Sequence, residues 1–317
     1  MNLLKEIGDA KRIGIAGHVR PDGDAVSSCL ALRNYLLNAI DGAKITVYLT
    51  GLPTIFSYIK GYSEIDETYE AGEPYEVFIA LDVSDAGRLD KALPLFKAAV
   101  KTICIDHHES NTEFAMVNHV KSKACATCEV LFDLFEEKYI DDDVATALYT
   151  GIVHDSGVFQ YSNMSRHAFE IVGRLTEYDF DGPAIIKKTF YEKTYAQEQI
   201  LGRALLESVR FLDGRCIFSV VDRKMMDFYQ VQPKHFEGIV NQLQNTRGVE
   251  VGIFMYEMAP LRYKVSMRSN GKVNVAKIAV LYGGGGHDRA AGVEMNGTVH
   301  DIINALSKEI VAQLDNQ

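Results

Sequence analysis

Four separated stretches of this chain carry residues able to hold divalent cations. The first is Gly17-His18-Val19-Arg20-Pro21-Asp22-Gly23-Asp24-Ala25, which sets one imidazole and two carboxylates within seven residues. Gly23 gives the backbone freedom for Asp22 and Asp24 to converge. The same residues would also serve a turn followed by a helix N-cap, since aspartate fills both roles. The second stretch is Asp106-His107-His108. Adjacent histidines on an irregular backbone point in different directions, so one at most is expected to ligate a metal while the other faces a substrate; a surface histidine pair is the alternative. Asp82, in Ala80-Leu81-Asp82-Val83-Ser84-Asp85, and Asp155, in Gly151-Ile152-Val153-His154-Asp155-Ser156-Gly157, complete the set, though each alone would pass for a helix cap. Carboxylates with imidazoles suit Mn²⁺, Mg²⁺ or Fe²⁺ better than a thiolate-rich zinc site. A further stretch, Tyr282-Gly283-Gly284-Gly285-Gly286-His287-Asp288-Arg289, offers glycine N–H groups unobstructed by side chains. Such a run can hold a phosphate, or simply cap the helix before it.

The elements around these residues explain how they could meet. Apolar runs at 12–17, 44–49, 77–81 and 100–105 have strand character, and helical spacing at 25–38 and 86–98, the latter interrupted by Pro94, alternates with them. This alternation predicts an α/β fold with a mostly parallel sheet flanked by helices. His18, Asp82 and Asp106 directly follow three of the strands, and ligands in open α/β sheets bind beyond the carboxyl ends of strands. Helices are predicted at 124–138, 143–152, 165–178 and 183–190, with Asp155 in a loop after the second of these. A helical stretch at 195–208 reads as a connector. Beyond it the pattern becomes strand (216–221), helix (233–245), strands (249–258, 262–268) and helices (273–281, 299–313), a smaller α/β domain. The expected organisation is therefore a catalytic domain at 1–190, a connector at 191–208 and a second domain at 209–317.

Composition narrows the function. The chain of 317 residues is 47% hydrophobic and 24% charged, normal for a soluble globular protein, and long enough for two cores. A formal net charge of −10 disfavours long duplex DNA as a partner but leaves room for a small phosphorylated substrate neutralised locally. No apolar run is long enough for a transmembrane helix, and residues 1–11 lack an apolar signal region, so a cytoplasmic location without membrane attachment is expected. The five cysteines are odd in number and irregularly spaced, as reduced thiols are; Cys125 and Cys128 lack the second pair a structural zinc site needs. A homodimer is compatible with the sequence.

Taken together, these motifs resemble the DHH phosphoesterase superfamily. Residues 17–25 match its first motif, Asp82 its second, Asp106-His107-His108 its third and Asp155 its fourth. Arg268-Ser269-Asn270, Val273-Asn274-Val275-Ala276 and residues 283–287 resemble the associated C-terminal domain. The compact length is similar to the branch that hydrolyses nano-RNA and 3′-phosphoadenosine 5′-phosphate. The resemblance implies two divalent cations, most commonly Mn²⁺ with Mg²⁺ as the alternative. It assigns His18, Asp22 and Asp82 to one cation, and Asp24, Asp82, His107 and Asp155 to the other, with Asp82 bridging. It makes His108 the substrate-facing catalytic histidine, supported by Asp106, and gives Arg268, Gly284, Gly285, Gly286 and His287 the substrate's phosphate or nucleotide. The activity implied is hydrolysis of short oligoribonucleotides or 3′-phosphoadenosine 5′-phosphate by metal-activated water, with linear di-adenylate, pyrophosphate or polyphosphate as other candidate substrates and a non-catalytic phosphate-binding module as the rival class. Two departures bear on substrate preference. Cys125-Ala126-Thr127-Cys128-Glu129 stands where the family often has a Ser-Ser-Thr run before a glutamate, and His154 and Ser156 stand where Gly and Thr are frequent.

Overall fold

The computed structural model describes residues 1–70, 72–161 and 163–315. They form two compact units, Met1–Glu192 and Lys193–Gln317. In the first, α1 (Leu3–Ile7) precedes β1 (Arg12–Ala16), α2 (Gly23–Ala39), β2 (Lys44–Tyr48), β3 (Val77–Leu81), α3 (Leu93–Ala98), β4 (Lys101–Asp106), β5 (Val117–Val120), α4 (Thr127–Leu134), α5 (Asp142–Asp155), α6 (Arg166–Leu175) and α7 (Gly182–Ile186).

The strands form one sheet in the order β2-β1-β3-β4-β5, with every neighbouring pair parallel. Strand β3 is buried along its whole length, as expected where helices cover both faces. One face carries Ile13, Ile15, Ile79 and Ile103 into the larger core with α2, α4 and α5, while Phe78, Ala80 and Phe96 pack on the other. Ala16 lies opposite Ala80, and Leu81 opposite Ile105, so β1, β3 and β4 end at one level. The chain steps to opposite sides of β1 to place β2 and β3, making the carboxyl ends of β1 and β3 the switch point where ligands bind in such sheets.

Several local expectations are corrected. Asp155 is the last residue of α5 rather than part of a loop. Burial of Ile152 and Val153, and the packing of the His154 ring against Phe56 and Phe190, carry the helix past the β-branched residues that suggested its end. The break in 86–98 falls at Asp90, whose φ is 46°, inside the 3₁₀ segment (Ala86–Ala92) that precedes α3. Pro94 sits in the first turn of α3, where a missing N–H costs no hydrogen bond. Strand β5 gave no signal because its four residues are only half-buried.

The second unit contains α8 (Tyr195–Leu206), β6 (Val209–Phe211), β7 (Cys216–Val221), α9 (Arg223–Tyr229), α10 (Ile239–Gln244), β8 (Val251–Ala259), β9 (Arg262–Ser269), α11 (Val275–Leu281), β10 (Gly285–His287), β11 (Ala290–Asn296) and α12 (Val299–Leu314). Its mixed sheet runs β10-β11-β9-β8-β7-β6. One face packs Val251, Ile253, Val265, Met267 and Val293 against α11 and α12. The stretch expected as a connector is a structural part of this unit: Ile200 and Ala204 of α8 are buried with Ile217, Leu243 and Phe254 on the other face, and Ser219 donates a hydrogen bond to the Ala204 carbonyl at 2.7 Å. Among the described residues no helix is long and apolar enough to cross a membrane.

Candidate metal centre

The site forms where β1, β3 and β4 end and where α2, α4 and α5 converge on them. His18 leaves β1 and is 5% exposed. Its Nδ1 lies 2.9 Å from the Val19 carbonyl. A carbonyl only accepts, so Nδ1 carries the proton, and Nε2 faces inward, 3.5 Å from Asp82 Oδ2 and 3.6 Å from Asp22 Oδ2. His107 repeats the arrangement. Its Nδ1 donates to the Ala124 carbonyl at 3.2 Å, and its Nε2 lies 3.0 Å from Asp155 Oδ2 and 3.5 Å from Asp82 Oδ1. An imidazole whose second nitrogen is held by a carbonyl has its tautomer and ring orientation fixed, the usual arrangement for a histidine that ligates a metal.

Asp82 lies between the two histidines and turns one oxygen toward each. Its φ is 59°, a left-handed conformation that aspartate tolerates better than most residues. Asp24 is fully buried at the start of α2, and both its oxygens accept hydrogen bonds from the N-terminus of α4, from Thr127 N at 2.6 Å and Cys128 N at 3.1 Å. Ala126, at the N-cap of α4, has no side chain for this task, so Asp24 caps that helix from across the fold. The approach requires Gly151: a Cβ there would stand 2.2 Å from Cys128 Sγ and 2.6 Å from Asp24 Oδ1. Asp22 is exposed and caps α2 through Asp24 N and Ala25 N.

Electrostatics favour a cation here. Burial, with the nearby charges of Asp82 and Asp155, pushes the Asp24 carboxyl well above its ordinary range. Burial likewise raises Asp155 against the pull of His107. Burial works against protonation of His18, yet Asp22 and Asp82 outweigh it and push its pKa up to about 10; His107 also reaches about 10, with Asp155 and Asp24 overcoming burial. For Asp22, His18 outweighs the burial penalty and lowers the carboxyl to about 2. Four carboxylates crowded around two imidazoles strain against one another unless protons or metal ions compensate. The donor atoms gather accordingly: those of His18, Asp22 and Asp82 lie within 4.8 Å of one another, as do those of Asp24, His107 and Asp155, and those of Asp82, His107 and His108. Oxygen and imidazole donors in this mixture fit Mn²⁺ or Mg²⁺ better than a thiolate site would. The five cysteines are buried and free.

His108 is within reach of this cluster, but its Nδ1 donates to Asp106 Oδ1 at 2.7 Å, and its Nε2 has no hydrogen-bond partner among the described residues. Asp106 raises the pKa of His108 against the burial that would lower it. Asp106 is itself fully buried, and its other oxygen accepts from Asn111 Nδ2 at 2.7 Å. Asn111, which also donates to the Val83 carbonyl, is a contributor that the sequence analysis missed; nothing in its local pattern marks it. Thr127 adds a second device, its hydroxyl lying 3.1 Å from Asp82 Oδ1.

In the second unit, β10 and β11 form a hairpin in which His287 lies opposite Ala290, and Ala290 lies opposite Arg268. Directly opposed residues share a sheet face, so His287 and Arg268 stand in one row, two strands apart. Of the two readings of the glycine run, the helix cap accounts for its first members. Gly283 N donates to the Val280 carbonyl and Gly284 N to the Ala279 carbonyl, closing the end of α11. Gly284 permits close strand approach: a Cβ there would lie 2.3 Å from the Gly292 carbonyl oxygen. Gly285, Gly286 and His287 form an exposed edge strand.

Comparison with known proteins follows the same division. The DHH family N-terminal domain model matches residues 12–152, and the DHHA1 domain model matches residues 214–314. The chain is 24% identical over 299 residues to the bifunctional oligoribonuclease and PAP phosphatase NrnA of Bacillus subtilis, covering 92% of each chain. It is 28% identical over 323 residues to the protein of the same name from Mycoplasma genitalium, covering 98% of this chain and 96% of that one. A crystal structure of an exopolyphosphatase-related protein from Bacteroides fragilis superposes with a TM-score of 0.87 at 23% identity, covering 98% of this chain and 94% of that one, which establishes the shared fold.

Proposed function

This chain joins a DHH-family N-terminal domain to a DHHA1 domain, and on that premise we propose that it is a dinuclear-metal phosphoesterase acting on short oligoribonucleotides and 3′-phosphoadenosine 5′-phosphate. The observation that carries the proposal is the paired geometry of His18 and His107. Each ring is locked by a carbonyl at Nδ1, and Asp82 offers a separate oxygen toward each Nε2. One cation would be held by His18, Asp22 and Asp82, and the other by Asp24, Asp82, His107 and Asp155, Mn²⁺ being the metal that suits these donors and this family. Such cations supply Lewis acidity toward the phosphoryl oxygens and a water acidic enough to attack near neutral pH.

The protein's own groups do the rest. His108, whose pKa Asp106 raises, presents Nε2 from a ring fixed at its other nitrogen, a position suited to stabilising negative charge on the phosphoryl group or protonating the departing oxygen. Asn111 holds Asp106 in place, and Thr127 and the α4 amides hold Asp82 and Asp24. In the second unit, Arg268 and His287 stand in one row of the sheet and are the candidate phosphate-binding pair there. The names of the NrnA relatives support this substrate class.

The test is a panel of diribonucleotide, 3′-phosphoadenosine 5′-phosphate, linear di-adenylate, pyrophosphate and polyphosphate, each with Mn²⁺. Release of mononucleotide or phosphate from the first two, ahead of the inorganic chains, is expected. Preference for pyrophosphate or polyphosphate would overturn the nucleotide assignment, and inactivity throughout with metal bound would leave a binding module.

A further inference from the structure

The metal loop holds a residue that none of these roles uses. Arg20 stands between His18 and Asp22 with φ at 55°, and Pro21 follows it. A left-handed backbone is uncommon for arginine, and a following proline favours an extended conformation instead, so surrounding structure must hold this one in place. Two contacts do so. The Asp22 side chain caps α2, and Val19 N donates to the Arg88 carbonyl at 3.0 Å.

The second contact pins the metal loop to the turn that follows Asp82. That turn is itself fixed, with Asp85 Oδ1 accepting from Gly87 N at 2.8 Å and Arg88 N donating to the Asp85 carbonyl. The main chain at Arg88 thereby lies against the loop that carries Arg20 between His18 and Asp22. Arg20 is exposed and Arg88 half-buried. Asp22, Asp82 and Asp85 lie within six residues of one or the other, yet the ion pairs and side-chain hydrogen bonds of the described residues include neither guanidinium. Arg20 and Arg88 stand on adjoining turns joined through the main chain, and the guanidinium fork matches a phosphate.

We propose that Arg20 and Arg88 form a phosphate-binding subsite beside the metal centre, taking a substrate phosphate other than the one that is cleaved. This rests on the phosphoesterase reading and sharpens it: the preferred substrate carries at least two phosphates, as a nucleoside bisphosphate or a terminally phosphorylated dinucleotide does. A backbone role alone would explain the strain at Arg20 but not a second unpaired arginine joined to the same loop.

The test compares diadenylate bearing only its internucleotide phosphate (ApA) with the same dinucleotide phosphorylated at either end (pApA, ApAp). The full chain is used with Mn²⁺, as wild type and as the double variant Arg20→Asn, Arg88→Gln. Asparagine accepts the left-handed backbone, so the loop is retained while the charge is lost. Two lost charge-assisted contacts correspond to a change of about tenfold or more. Wild type is expected to favour one phosphorylated form over ApA by about tenfold in kcat/KM, and the double variant by less than about threefold. Absence of the preference in wild type, or its survival in the double variant, overturns the subsite. If wild type cleaves none of the three, the hydrolytic reading has failed separately, and equilibrium binding of the same dinucleotides decides the subsite: equal affinity of wild type and double variant for pApA and ApAp rejects it.

Discussion

Replacing Thr127 with valine removes one hydroxyl and leaves the Thr127 N–H, which supports Asp24, in place. The hydroxyl is fully buried and donates to Asp82 Oδ1 at 3.1 Å. A hydrogen bond to a charged acceptor contributes about 1.5–3 kcal/mol, which at about 1.4 kcal/mol per tenfold is a factor of roughly 10 to 150. Loss of a partner that orients a metal-ligating carboxylate typically weakens metal binding by about 10- to 100-fold, in agreement. The Mn²⁺ concentration giving half-maximal activity should therefore rise by about 10- to 100-fold in Thr127→Val. Thr127→Ser keeps the donor and should stay within a few-fold of wild type. The assay is a Mn²⁺ titration of turnover, with melting curves taken on the metal-free proteins to separate site damage from unfolding. Equal losses in the serine and valine variants, or unchanged Mn²⁺ dependence in valine, would refute the claim that this hydroxyl positions Asp82.

Two further predictions concern protons and packing. His18 and His107 have folded-state pKa values of about 10, above the ordinary imidazole range near 6.5, so in the metal-free protein their contribution to stability is complete below about pH 6.5 and is lost as pH rises toward 10. Because a ligating imidazole must be neutral, Mn²⁺ binding at pH 7 should release about one proton per histidine and tighten with pH, as read by calorimetry in buffers of different ionisation enthalpy; zero release would contradict this. Gly23 meets the His154 ring so closely that a Cβ would stand 2.3 Å from its Cγ, and that ring is held by Phe56 and Phe190. Gly23→Ala should destabilise by about 1–3 kcal/mol and impair Mn²⁺ dependence, and a second change, His154→Gly, should restore both; failure of the pair to couple in melting curves would remove His154 as the support for the loop.

The candidate site was legible where chemistry is written in residue type, and less so where it depends on backbone. His18, Asp82 and Asp106 could be placed on one rim because each follows an apolar strand, and the parallel register puts those strand ends at one level. The carbonyls of Val19 and Ala124 that orient the two histidines are main-chain groups, and no side-chain pattern announces them. Asn111 acts through a loop whose course only the fold determines. The extent of α5 was hidden because local preference argues for an end at Ile152, while burial of Val153 and stacking of His154 carry the helix onward. The glycine run stayed ambiguous for a related reason: its composition allows a phosphate loop or a helix cap, and only the fold shows that the carbonyls of α11 and the close approach of β11 engage its first members.

The most direct measurement of the central claim is metal content per chain in wild type and in Asp82→Ala, taken with turnover of a diribonucleotide on the same samples. Sharing of Asp82 between two cations predicts about two Mn²⁺ bound by wild type, with severe loss of metal and turnover in the variant. A wild type that binds a single ion, or an Asp82→Ala protein that keeps near-normal Mn²⁺-dependent activity, would contradict it.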